Sequence, residues 1–282
     1  MSANPIHFTV EFRRKMAKLP QAQRLEWLSS LASEIGATAT RGSPCPPPRD
    51  DVFSQQLHEV ARGCRLHLVE SVDKQFGPFD RRLLEALLEV GRERFVRPED
   101  VVRSADDAPL GLDDRGFATV SAPHAYLLSY RLLRLAPGDT LVELGTGSGY
   151  GAALAAQVVG PEGRVLSFEI DSALVAWARA ALDTEPVART GTILVTERDA
   201  MESTGEWEGA AKVTVTFAVE ALPPDWLRAL PEGGMLVAPV GPRDQEQRLV
   251  LATRRRGRVV ESDHGAVRYV RNRSGGGDNS RR

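Results

Sequence analysis

The chain has 282 residues, with 36 Lys+Arg against 38 Asp+Glu and a formal net charge of −2. At roughly 150 residues per domain, this length suits one large domain or one domain with an appendage. Apolar residues at 42% and charged residues at 26% exclude full-length disorder, a collagen-like repeat and a disulfide scaffold. The near-neutral balance offers no basic face for displacing counterions, so nucleic acid is not an expected partner. Cys45 and Cys64 close one bridge at most and lack four-ligand zinc spacing, so no metal site is expected. The opening residues MSANPIHFTVEFRRK carry no signal-peptide apolar run. No stretch of about 18 apolar residues follows. The expectation is a cytoplasmic protein with no membrane contact.

In chain order, Phe8, Phe12, Met16 and Leu19, then Leu25, Leu28, Leu31 and Ile35, recur at helical spacing and predict one or two amphipathic helices over 8–36. Residues 37–51 contain four prolines and few large apolar groups, the composition of a stiff linker. Further helices are predicted over 52–75 and 79–91. Residues 1–75 thus form a helical extension, expected to be a stabilising cap or dimer contact, or to dock a peptide. From Thr140 the texture changes to short β-branched runs alternating with helical segments, as in a parallel sheet with crossover helices. Strands are predicted over 140–144, 164–170, 192–196, 212–217, 235–239, 247–253 and 266–271, with helices over 150–159, 172–182 and 224–230. The tail 274–282 is expected to be disordered.

The strongest local signal is a strand, Thr140 to Leu144, running into glycines at 145, 147 and 149 and then a helix. Alternating glycines let the backbone turn sharply and approach a ligand, beside the unpaired N–H groups of a helix start. A dinucleotide loop spaces its glycines differently to seat a pyrophosphate. Here the third glycine comes one residue early, and the acidic Glu143 precedes the loop. A carboxylate there repels phosphate and suits an ammonium group, so Glu143, Gly145, Thr146, Gly147, Ser148 and Gly149 fit the amino-acid end of S-adenosylmethionine. Glu169, at the end of the next strand, is placed to accept hydrogen bonds from ribose hydroxyls. Asp199, one strand further on, is placed to accept from an adenine amino group.

These motifs, with Ala118-Thr-Val-Ser-Ala-Pro-His124 and Pro231-Glu-Gly-Gly-Met-Leu-Val-Ala-Pro-Val-Gly241, resemble the protein-L-isoaspartate O-methyltransferase family over about 79–270. Supporting pieces run from Leu84 to Val96 and from Asp107 to Pro109. The resemblance implies a seven-stranded, doubly wound Rossmann-like class I methyltransferase α/β sheet over 79–272. It implies S-adenosylmethionine as donor, with S-adenosylhomocysteine as product. The substrate it implies is an isoaspartyl or aspartyl carboxylate of a protein or peptide, whose methyl ester closes to a succinimide. It also places Ser121 beside the accepting carboxylate, with Thr119, Val120, Ala122, Pro123 and His124 shaping the pocket. A helix cap is the structural alternative for Ser121. No general base is required, because a carboxylate is already ionised at neutral pH.

Departures from the family pattern surround this pocket. Lys212 stands where an aspartate is usual, Phe217-Ala-Val-Glu-Ala221 is bulkier, Arg198-Asp-Ala200 lacks the flanking glycines, and Asp113-Asp114-Arg115 lengthens a loop. One dedicated ribosomally made peptide is therefore an alternative substrate. A nucleic-acid methyltransferase is disfavoured, since Leu222-Pro-Pro-Asp225 lacks the flanking polar and aromatic residues and reads as a helix start. Arg254-Arg-Arg-Gly-Arg258 reads as a hairpin turn. A non-catalytic cofactor-binding module is disfavoured by the intact Ser121 segment.

Overall fold

A computed structural model describes residues 5–38, 52–188, 192–242 and 246–272. Most of the Pro-rich stretch, Cys45 and the tail from 274 fall outside these residues. The N-terminal third is helical: α1 (Pro5–Lys18), α2 (Gln21–Thr38), α3 (Val52–Phe76) and α4 (Arg81–Glu89). Asp80 caps α4, accepting from Arg82 N at 2.9 Å. A two-residue ladder of β1 (Leu110–Gly111) and β2 (Thr119–Val120) follows, and then α5 (Pro123–Leu132).

The sheet begins at β3 (Thr140–Leu144) and continues through α6 (Tyr150–Val159), β4 (Arg164–Glu169), α7 (Ser172–Leu182), β5 (Ile193–Glu197) and α8 (Thr204–Trp207). It is completed by β6 (Lys212–Val215), α9 (Pro224–Ala229), β7 (Met235–Val240), β8 (Gln247–Arg255) and β9 (Arg258–Val267). Seven strands lie in the order β5-β4-β3-β6-β7-β8-β9. The first five are parallel, and β8 and β9 are antiparallel. The chain reverses its direction of winding between β3 and β6, and Leu144 pairs with Phe168 on one side and Val215 on the other. A crevice at the carboxyl ends of these strands is the expected ligand position in such sheets.

Helix α6 is apolar nearly all round because it is enclosed by the sheet on one side and α4 on the other. One hydrophobic cluster runs from Met16, Leu28 and Val60 in the helical extension through Leu154 and Ala155 of α6 to Val165 of β4. The opposite face of the sheet buries Trp207 and Trp226 among Val142, Val213 and Leu236. The extension is also tied down by ion pairs. Arg65 and His58 of α3 both meet the buried carboxylate of Glu93, Arg13 meets Glu59, and Arg62 meets Glu89. Among the described residues, no helix is long and apolar enough to cross a membrane.

The six strands from β3 to β8 match their predicted positions within a few residues. The seventh does not: the last strand is Arg258–Val267, not 266–271. Its residues 261–264 are exposed and polar, so this edge strand is held by backbone pairing to β8 and carries no apolar period. Among the described residues beyond it, Arg271 forms an isolated bridge with Ala218. The arginine-rich turn is indeed the β8–β9 hairpin, with Arg256 and Gly257 at φ 51° and 73°. Pro224 opens α9 in its first turn.

Candidate functional site

The glycine loop leaves β3 with Gly145, Gly147 and Gly149 at φ 97°, 57° and 93°, conformations costly for any residue with a Cβ. A Cβ on Gly145 would also stand 2.4 Å from Thr216 Oγ1. The chain therefore turns tightly beneath an open cleft of about 670 Å³, mouth included. The loop's Gly145, Thr146, Gly147 and Ser148 form its floor. Phe168, Glu169 and Ile170 from the end of β4 form one side. Phe117, Thr119 and Val120 face it from the β2 side, and Thr216, Phe217, Val270, Arg271 and Asn272 close it from the β6 side.

Glu169 bridges the loop to β4. Its Oε2 accepts from Gly147 N at 2.8 Å, and its Oε1 accepts from Ile170 N and Asp171 N at 3.1 Å each. Ser148 is 2% exposed, and its hydroxyl has no partner among the described residues. Asp199 lies just outside the lining, beside Ala200, and accepts from Met201 N at 2.8 Å.

Glu143 sits below the loop, outside the lining and 1% exposed. Burial pushes its carboxyl up to about 8, against the hydrogen bond from Ser167. Ser167 Oγ donates to Glu143 at 2.6 Å. Thr146 Oγ1 lies 2.6 Å from the same serine. Either hydroxyl of that pair can donate. A buried chain of hydrogen bonds thus holds the loop from beneath.

Thr119 and Val120, as β2, line the cleft, and Ser121, 9% exposed, follows directly. Ser121, Ala122, Pro123 and His124 continue the chain directly from this lining and are not themselves part of it. Ser121 is not the cap of α5: the N-cap is Ala122, without a side-chain bond, and Pro123 takes the first helical position. Asp107 supplies the missing acceptor from another segment, taking His124 N at 3.0 Å and facing His124 Nδ1 at 2.8 Å.

Two further side chains hold this wall. Ser121 N donates to Tyr126 Oη at 3.2 Å. Fully buried Arg92 donates to the carbonyls of Asp106 at 2.7 Å, Ala108 at 2.6 Å and Ser121 at 3.2 Å. Its guanidinium also sits 5.8 Å from the Tyr150 ring centre. Sequence reasoning gave no role to Arg92, Asp107, Tyr126 or Arg271. Arg92 and Asp107 were visible only as members of segments resembling a known family.

The arrangement fits a ligand with an amino-acid end and a ribose. Unpaired Ser148 and the loop's approach suit the first, and Glu169 at the strand end suits the second. Comparison with known proteins agrees. The model of the family described as Protein-L-isoaspartate(D-aspartate) O-methyltransferase matches residues 65–275. A protein-L-isoaspartate O-methyltransferase of Pyrobaculum arsenaticum is 32% identical over 72% of this chain and 95% of its own length. One of Anaeromyxobacter dehalogenans is 37% identical over 68% of this chain and 88% of its own. The fold is similar to that of a Plasmodium falciparum protein described as a putative protein-L-isoaspartate O-methyltransferase in complex with S-adenosyl-L-homocysteine. That likeness has a TM-score of 0.65 and 21% identity, and covers 74% of this chain and 98% of the other.

Proposed function

The chain belongs to the protein-L-isoaspartate(D-aspartate) O-methyltransferase family, and from that premise we propose that it esterifies the free carboxylate of isoaspartyl residues in proteins or peptides, with S-adenosylmethionine as donor. The observation that carries this reading is a cleft in which the glycine loop and Glu169 face the β2 wall that leads into Ser121.

In this reading the backbone of 145–149, with Thr146 and Ser148, holds the amino-acid end of the donor. Glu169 accepts from its ribose, and Asp199 is the acceptor for its adenine. When bound, the donor supplies a methyl group on a positively charged sulfur. Thr119, Val120 and Ser121 hold the accepting carboxylate, with Arg92 and Tyr126 fixing the Ser121 backbone. No proton has to be removed from a carboxylate at neutral pH, so the protein's contribution is alignment at contact distance. That agrees with His124, whose ring nitrogen is already engaged by Asp107.

The methyl ester is a better acyl donor than the carboxylate. The neighbouring backbone nitrogen attacks it, methanol leaves and a succinimide closes; hydrolysis of the ring returns part of the material as normal aspartate. The relatives' shared activity favours this over a single dedicated peptide. For residues 1–75, the shared core and the Glu93 ion pairs support a stabilising cap on the catalytic domain. Mass spectrometry of paired aspartyl and isoaspartyl peptides after incubation with the donor tests the proposal. Methylation of the isoaspartyl member is expected, and methylation of neither overturns it.

A further inference from the structure

We propose that Arg271, across the cleft from the wall of residues 119–121, adds a charged contact to the accepting carboxylate of the peptide. This rests on the methyl-transfer reading above and goes beyond it, since no motif marks this position. Of the described residues lining the cleft, only Glu169 and Arg271 carry charge. Glu169 is bound to the glycine loop. Arg271 belongs to the opposite wall, where Ala218 N donates to Val270 O at 2.8 Å and Asn272 N donates to Ala218 O at 3.1 Å. These bonds fix its backbone beside Phe217.

The guanidinium is held by neutral groups. Nη1 donates to Gly241 O at 2.6 Å, and Nη2 donates to Pro242 O. No carboxylate pairs with it among the described residues. A guanidinium has five N–H donors, so several remain, and its planar fork matches a carboxylate. Arg271, half-buried and anchored, is therefore a cation that lines a cleft whose proposed substrate group is an anion, with no acid paired to it among the described residues.

The chemistry says where its contribution appears. A carboxylate anion and a sulfonium become a neutral ester and a neutral thioether, so the negative charge facing Arg271 fades along the reaction. Its attraction is strongest in the bound substrate, weaker in the transition state and absent in the product. Such an interaction lowers KM without raising kcat, and it lets the ester leave.

The test is steady-state methylation of a C-terminally amidated peptide whose only carboxylate is the isoaspartyl one, with R271Q, R271K and the unmodified protein. R271Q is expected to raise KM about tenfold with kcat unchanged or raised. R271K should recover part of the loss. Affinity for S-adenosylhomocysteine should be the same in all three. Added salt should depress kcat/KM of the unmodified protein and have little effect on R271Q. An unchanged KM in R271Q, or a fall in kcat at constant KM, overturns the role of Arg271 and leaves the proposed function standing. An effect seen only with an acidic neighbouring residue also overturns it. An unmodified protein that methylates no isoaspartyl peptide overturns both. Should R271Q not fold, a kcat/KM of the unmodified protein that ignores salt overturns the proposal.

Discussion

Asp107 grips His124 twice, through its backbone N–H at 3.0 Å and its ring Nδ1 at 2.8 Å, while Phe76 at the end of α3 stacks on the same ring with centres 4.1 Å apart. The start of α5, which has no side-chain cap of its own, is thus held from two distant segments. Replacing Asp107 with alanine removes an N-terminal acceptor, and thermal unfolding should show a loss of about 1 kcal/mol. Turnover should fall as well, because Ser121 sits immediately before this helix, while S-adenosylhomocysteine affinity should hold.

Ser121 is expected to act on substrate alone. Ser121→Ala should lower kcat/KM for an isoaspartyl peptide by about tenfold or more. Calorimetric affinity for S-adenosylhomocysteine should stay nearly constant. Equal losses in both quantities would remove Ser121 from the substrate side.

Glu143 gives a pH signature. Its folded carboxyl is pushed up to about 8 from an ordinary 4.5, so the folded state holds this proton more tightly than the unfolded chain. Its contribution to stability is fully present below the ordinary value and is lost as pH rises to about 8. Glu143→Gln keeps an acceptor for Ser167 and cannot ionise. Denaturant unfolding should find variant and unmodified protein closest near pH 5. The variant should gain by up to a few kcal/mol (order of magnitude) near pH 8. A difference independent of pH would contradict this placement.

The legibility of the molecule followed the range of its interactions. The turn from β3 into α6 could be read from residues 140–150 alone, because the positive φ values at 145, 147 and 149 require glycine there. Strand β9 could not, since Glu261, Ser262, Asp263 and His264 face solvent on a sheet edge and need no apolar alternation. Arg92 was legible only as a member of the 84–96 segment that resembles the family. Its function lies in carbonyls 12 to 29 positions away, which only the fold brings together. Glu143 was read as facing the ligand because it precedes the loop; the pleat turns it instead towards Ser167. The cleft wall at Arg271 escaped for the same reason as β9, because the last strand was placed too far along the chain.

Glu93 behaves in the opposite sense to Glu143. Burial alone would raise its carboxyl, yet the Arg65 guanidinium and His58 outweigh it and bring it down to about 2. Its contribution to stability is present above the ordinary carboxylate value and is lost as pH falls towards about 2. Glu93→Gln leaves Arg65, 1% exposed, without its counter-charge. Urea unfolding at neutral pH should show a loss of about 3–5 kcal/mol, and the acid-side slope attributable to this group should disappear.

The most direct test of the account is titration calorimetry of the full chain with S-adenosylhomocysteine, repeated with Gly145→Ala. The account predicts saturable binding at one site per chain, and weaker binding or none once a Cβ is forced into the turn facing Thr216. Heat no greater than dilution in the unmodified protein would contradict it, because a cleft that does not hold the donor's product cannot be the place where the methyl group is passed to a carboxylate.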